Sequence, residues 1–247
     1  MKNGLLAAAA SSALLLGATH AMAATILIDN FDDDQRVEDA PGAGAVNNSQ
    51  LGPSGNIVGG YRDLLVQTDA VGQDDATELS ALNSRLEFNN DSEVTGRGWV
   101  TYDGANEVGT DPGNVDFSGL GGLDFLDGPG AGFLFEIIAV DLPGIFIEIR
   151  AWDIFNNLAT LAKELPAVGG SPFVPLEAFA GGIDWNNVGA LQFFAQTGAG
   201  SDVPALDGAI GSITVETGVI PLPASAFLLL GGFGALGALR ARRRKAA

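Results

Sequence analysis

Short apolar runs, rich in Phe, Ile and Val and stopped by Gly, Asp, Asn or Pro, recur between Thr25 and Glu216 and constrain this chain more than any other feature. An amphipathic helix needs apolar residues at a 3.6-residue period over ten or more positions, and such stretches are scarce here. Glycine weakens helices most after proline, and the 35 glycines are spread along the sequence. Runs of this length between turn residues are the signature of strands. They are expected near Thr25–Asp29, Ile57–Thr68, Arg85–Asn89, Gly98–Tyr102, Phe133–Val140, Ile145–Trp152, Leu158–Lys163, Phe173–Ala178, Ala190–Gln196 and Ile210–Glu216. Asp141-Leu-Pro-Gly144 is a good turn and predicts a hairpin between its two flanking strands. Asn30 to Asn56 is polar and Gly-rich, and reads as a long loop or a loop carrying one short strand. With no repeat of fixed period and no dividing linker, the expectation is all-β: a single β-sandwich domain over residues 24–219.

The flanks have another purpose. Residues 1–23 combine Lys2, an apolar stretch from Leu5 to Leu16 and the small-residue site Ala21-Met22-Ala23, which is the form of a signal peptide. Residues 220–247 combine Pro221-Leu222-Pro223-Ala224, an apolar run from Ala226 to Leu239 and the cluster Arg240 to Lys245. The apolar run suits a transmembrane helix, and the arginines favour the cytoplasmic side.

Charge and composition exclude several functions. All 30 Asp and Glu fall between Asp29 and Glu216, facing six Lys and Arg, a formal charge of −24 for that segment. A surface of that sign repels phosphate backbones, so no nucleic-acid partner is expected. It also offers many carboxylates to divalent cations. Cysteine is absent, and the single histidine, His20, lies in the leader. Disulfides, thiolate chemistry and His-based triads are therefore excluded from the mature domain.

The C-terminal order of proline motif, apolar helix and Arg-rich end resembles the PEP-CTERM sorting signals, and Ile220-Pro-Leu-Pro-Ala224 is similar to their V-P-L-P-A variant. The resemblance implies processing by an exosortase, after export and signal-peptidase cleavage. It also implies a Gram-negative host making exopolysaccharide, with the protein passing from an inner-membrane precursor to the cell surface or biofilm matrix. A plain single-span anchor is the other reading of the same residues. Ile26-Leu-Ile-Asp-Asn-Phe-Asp-Asp33, Ile57-Val-Gly-Gly-Tyr-Arg-Asp-Leu64 and Asp184-Trp-Asn-Asn-Val188 with Leu191-Gln-Phe-Phe194 resemble galactose-binding-like jelly rolls, some of them carbohydrate-binding modules. That likeness, which extends to Leu206-Asp-Gly208 and Ile210–Val215, implies a jelly roll, often with a structural calcium near the junction of its first and last strands.

Three candidate sites follow. Asp29, Asp32, Asp33 and Asp207 supply hard oxygen ligands for calcium if the first and last strands pair, though no EF-hand loop is present. In Ile145–Trp152 alternation places Ile145, Ile147 and Ile149 on one face and Glu148, Arg150 and Trp152 on the other. An indole beside two charged groups suits a carbohydrate, whose rings have apolar faces and polar edges, and it equally suits an exposed sheet face with an ion pair. Trp185 reads as a core anchor, and Trp99 fits either role. Glu136 and Glu148, on the two strands of the expected hairpin, are the carboxylates for a glycoside hydrolase-like activity. The principal expectation is a non-enzymatic surface or matrix protein associated with extracellular polysaccharide; the alternative is a secreted carbohydrate-active enzyme.

Overall fold

The computed structural model describes residues 25–40, 47–70, 76–91, 94–106, 111–125, 130–140, 146–164, 170–196 and 207–216. The expected leader, the Pro221–Ala224 motif and the apolar helix after it lie outside the described residues. Among the described residues no helix is long and apolar enough to cross a membrane.

The described segments build two seven-stranded sheets, with antiparallel pairing throughout. The first contains β1 (Thr25–Asp29), β2 (Gln35–Asp39), β5 (Thr77–Ala81), β6 (Leu86–Asn90), β8 (Gly132–Val140), β11 (Phe173–Pro175) and β14 (Gly208–Glu216). Its order is β11-β8-β14-β6-β5-β2, and β1 also pairs with β14. The start of β14 pairs with β6, and its later part, from Ile213 to Glu216, pairs with β1. The second sheet contains β3 (Asn48–Leu51), β4 (Arg62–Ala70), β7 (Thr95–Tyr102), β9 (Phe146–Asp153), β10 (Leu158–Glu164), β12 (Ala180–Gly181) and β13 (Val188–Gln196). Its order is β12-β10-β9-β13-β7-β4-β3.

Period-2 alternation decides what each strand buries. Phe133, Phe135, Ile137, Ile213 and Val215 of the first sheet face Leu64, Val66, Val100, Tyr102, Ile147, Ile149, Leu191 and Phe193 of the second, in one hydrophobic core. Phe193 lies at the centre. Its ring meets Phe133 and Phe135 of the opposite sheet edge-on, each with centroids 5.9 Å apart. Such pairs add to the roughly 1.5–3 kcal/mol gained by burying each ring. Trp185 stands half-buried at the core margin, T-shaped on Phe179 at 5.1 Å, close to the anchoring role expected of it.

The expected hairpin across Asp141–Gly144 does not form. β8 pairs with β14 and β11, whereas β9 pairs with β13 and β10, so the two strands lie in opposite sheets. Both flanks of each strand are already occupied, leaving neither an edge for the other. A turn sequence reports that the chain reverses, not which sheet it re-enters. The Asn30–Asn56 stretch also departs from expectation, because it carries two strands, β2 and β3, and not at most one. Each lies at the edge of a different sheet.

Candidate functional site

The second sheet turns Glu148, Arg150 and Trp152 of β9 away from the core, while Ile147 and Ile149 face into it, as the alternation requires; Ile145 lies outside the described residues. Register then fixes their neighbours. Glu148 stands opposite Phe194 and Arg150 opposite Gln192 on β13; beyond them Phe194 stands opposite Trp99 and Gln192 opposite Thr101 on β7. Leu65 and Asp63 of β4 follow, and Gln50 of β3 stands opposite Asp63. The outer face is thus a continuous lattice of aromatic and planar polar side chains.

Hydrogen bonds lock this lattice. Arg150 donates to both carboxylate oxygens of Glu148, at 2.9 and 3.2 Å, and to Gln192 Oε1 at 3.1 Å. Its guanidinium lies 5.7 Å from the Phe194 ring centroid, a cation–π contact. Gln192, itself buried, donates from Nε2 to Thr101 Oγ1 and to the Pro112 carbonyl, both at 3.0 Å. Trp99 packs on Phe194 at 5.1 Å. Trp152 is half-buried, and the adjoining turn leaves Leu158 and, more fully, Phe155 exposed. Asp153 holds that turn by accepting from the Phe155 and Asn157 amides and the Asn157 side chain.

The segment after β7 walls one end of this face. Asn106, Asp111, Pro112, Asn114 and Val115 close over Asp63, Leu65, Trp99 and Thr101, making a groove. The segment is pinned close to the sheet by glycine. A Cβ at Gly119 would fall 1.6 Å from the Asp103 carbonyl oxygen, and one at Gly189 1.9 Å from that of Phe117. At the groove floor the Asp63 and Asp103 carboxyls come within hydrogen-bonding reach of one another. Burial, then the Asp103 charge, pushes Asp63 up to about 7; burial likewise raises Asp103, against hydrogen bonds from the Asp116 amide and the Asn106 side chain.

The other expected sites fare differently. Glu136 projects from the outer face of the first sheet and accepts from Ser212, so it and Glu148 lie on opposite sides of the sandwich. Two sheets pack about 10 Å apart with the core between them, so these two acids cannot flank one bond. The pair that does converge, Asp63 and Asp103, was missed; only the partner strands and the returning segment bring it together.

The four aspartates proposed for calcium are not brought together either. β1 and β14 do pair, but Asp29 stands opposite Ile213, six residues beyond Asp207, or about 20 Å along an extended strand. Asp207 sits at the other end, where it accepts from the Asn90 amide. Asp29 is fully buried and already neutralised by Arg62 at 2.9 Å. Asp32 accepts from Asn30 and Ser84, and Asp33 from Ser54 and Asn56. Among the described residues no group of three or more acidic side chains is placed to hold a metal ion. The donor set around Asp29 does not fit an ion, since a guanidinium supplies its counter-charge.

Fold and face define a two-sheet β-sandwich with a walled groove on one outer sheet. No family model and no curated protein matches the chain. Among solved structures it is similar to the family 11 carbohydrate-binding module of the cellulosomal cellulase Lic26A-Cel5E of Clostridium thermocellum, at 8% identity and a TM-score of 0.36, covering 80% of this chain and 96% of that one. It is also similar to PfGH50B, at 13% identity and a TM-score of 0.38, and to the agarase AgWH50C, at 10% and 0.39. Those two alignments cover 64% and 62% of this chain but only 23% and 22% of the larger proteins.

Proposed function

We propose that this chain is an exported, non-enzymatic surface or matrix protein whose domain, a galactose-binding-like jelly roll, holds an extracellular polysaccharide on the outer face of the second sheet. The observation that supports the reading is the continuity of that face. It carries a half-exposed indole at Trp152, the exposed Phe155 ring beyond it, and the Glu148–Arg150 pair alongside, braced from beneath by the buried Gln192 and Thr101. Sugar sites combine apolar surfaces for ring stacking with fixed donors and acceptors for hydroxyls. Locking these groups before the ligand arrives reduces the ordering cost of binding.

Export follows from the leader, with cleavage after Ala23 by signal peptidase. Exosortase processing at Pro221–Ala224 follows from the sorting motif, and before it the apolar run anchors the precursor in the inner membrane. Calculated on residues 25–216, the charge of −24 favours a neutral glycan over a polyanionic one at low salt. The deciding experiment is a glycan array with the wild type and Trp152→Ala. Binding lost on substitution, with the circular dichroism unchanged, supports the face; a wild type that binds no glycan removes the reading.

A further inference from the structure

We propose that the floor of the groove is a divalent-cation site, of the hard, oxygen-binding kind that takes calcium, built on Asp63 and Asp103. Asp103 is 98% removed from solvent, being 2% exposed. Its Oδ2 accepts from Asn106 at 2.7 Å and from the Asp116 amide at 2.9 Å, but its Oδ1 is buried with no hydrogen-bond partner. Asp63 Oδ1 is likewise buried with no donor in reach, so the two carboxyls have only one another there. Buried polar atoms are nearly always satisfied, and an orphaned carboxylate oxygen is among the costliest exceptions. Two of them facing one another, each on an acid, must hold something positive between them: a shared proton, or a cation that displaces it.

Among the described side chains no cation of the protein supplies it. The five arginines between residues 25 and 216 are each paired with other acids: Arg36 with Glu38 and Glu78, Arg62 with Asp29, Arg85 with Glu87, Arg97 with Asp69 and Arg150 with Glu148. Arg150 reaches the cavity wall at Gln192, yet that amide turns its other end to Thr101 and Pro112. A carboxylate pair left without a counter-ion inside a −24 segment is an attractor for external cations.

Space and donors match. Asp63 and Asp103 line a cavity of about 20 Å³, whose walls also carry Thr101, Asn106, Asp111 and Asn114. A water molecule needs roughly 10–15 Å³ of such space, so the cavity admits one water-sized ion. Calcium takes six to eight oxygens and accepts carboxylates, side-chain amides and water together. Two carboxylates at the floor, with Thr101, Asn106 and Asn114 supplying neutral oxygens and Asp111 standing in the wall, suit that coordination without a three-acid cluster, of which there is none among the described residues. The site is independent of the aspartates near β1, and it stands whether or not the groove holds a glycan.

Trp99 lines the same cavity and provides the test. The full domain, freed of metal by chelation, is titrated with terbium while the tryptophans are excited, and calcium is then added in competition. The expected result is sensitised emission saturating at one ion per chain, reversed by calcium. It falls at least tenfold in Asp63→Asn/Asp103→Asn, and it falls in Trp99→Phe while calcium binding measured by calorimetry persists. Absence of emission together with absence of calorimetric calcium binding overturns the proposal. So does emission that survives unchanged in Trp99→Phe, a readout that remains decisive if the double variant fails to fold.

Discussion

The Arg62 guanidinium and the Asp29 carboxylate meet at 2.9 Å with neither side chain exposed to solvent. Arg62 also donates to Gln35 Oε1 at 2.7 Å and to the Asp33 carbonyl at 2.5 Å, and its charge lies 5.6 Å from the Phe31 ring centroid. Asp29 accepts in addition from the Phe31 amide at 2.8 Å and the Tyr102 hydroxyl at 2.9 Å. One buried ion pair thereby ties β1 and β2 of the first sheet to β4 and β7 of the second. Burial raises the Asp29 pKa despite Arg62, and it holds the Tyr102 hydroxyl well above its ordinary range, the Asp29 charge adding to the effect.

Breaking this pair from one side is expected to be severe. Arg62→Met leaves a buried carboxylate without its partner, and such changes cost about 3–5 kcal/mol. The double variant Arg62→Met/Asp29→Leu should regain much of that loss, because it removes both charges. Urea unfolding of the four species measures the coupling; two single variants within about 0.5 kcal/mol of wild type would show that the pair contributes nothing.

The wall of the groove should be fragile at one backbone position. Gly119→Ala drives a methyl group into the Asp103 carbonyl, which is backbone and cannot swing aside. The segment after β7 must lift, so stability should fall by about 1–3 kcal/mol, the range of overpacked sites. Hydrogen exchange is expected to show the Leu120 and Leu123 amides, which bond to Gly189 and Val188, losing protection before the β9–β13 ladder does.

The Asp63–Asp103 pair predicts a pH dependence of known sign. A carboxyl raised from its unfolded value near 3.8 to about 7 on folding holds its proton in the native state and releases it on unfolding. Its contribution to stability is therefore fully present below about pH 4 and is lost as pH rises towards 7, the same direction as for Asp103. In chelator, where only protons occupy the site, the melting temperature should fall across that window from this source. Asp63→Asn should flatten the fall, which differential scanning calorimetry at a series of pH values measures.

How much of this was readable beforehand depended on whether a segment's own side chains record its surroundings. β1, β6 and β8 bury alternate large apolar residues and β13 a nearly continuous apolar run, and the sequence shows them within a few positions. β2 places only Val37 in the core and β3 only Leu51 against it, since both are edge strands, so their polar sequences read as loop. The orientation of Glu148, Arg150 and Trp152 was legible because period-2 alternation is local. Asp63 and Asp103 were not, because their approach depends on β4 pairing with β7. Nor was the burial of Arg62: nothing adjacent to it in sequence announces Asp29 or Tyr102.

The glycan-binding face makes a prediction that separates binding from folding. Phe155 is 67% exposed, so its side chain adds almost nothing to stability, and Phe155→Ala should stay within about 0.5 kcal/mol of wild type. If a polysaccharide runs along the end of β9, the same change removes an apolar platform and should weaken binding several-fold. Arg150→Ala acts differently, because it releases Glu148 and Gln192 together and unlocks the polar array beside the platform. Its effect on binding should be larger, and it should carry a modest stability cost, since Glu148 and Arg150 are partly exposed and such ion pairs contribute up to about 1 kcal/mol. Phe193→Ala provides the contrast: it empties the centre of the core and should cost about 3–5 kcal/mol. Affinity electrophoresis in a neutral polysaccharide, with urea midpoints for each variant, places all three on one plot. A ranking in which binding follows stability, with Phe155→Ala unaffected and Phe193→Ala worst, would assign the outer face no part in holding the ligand.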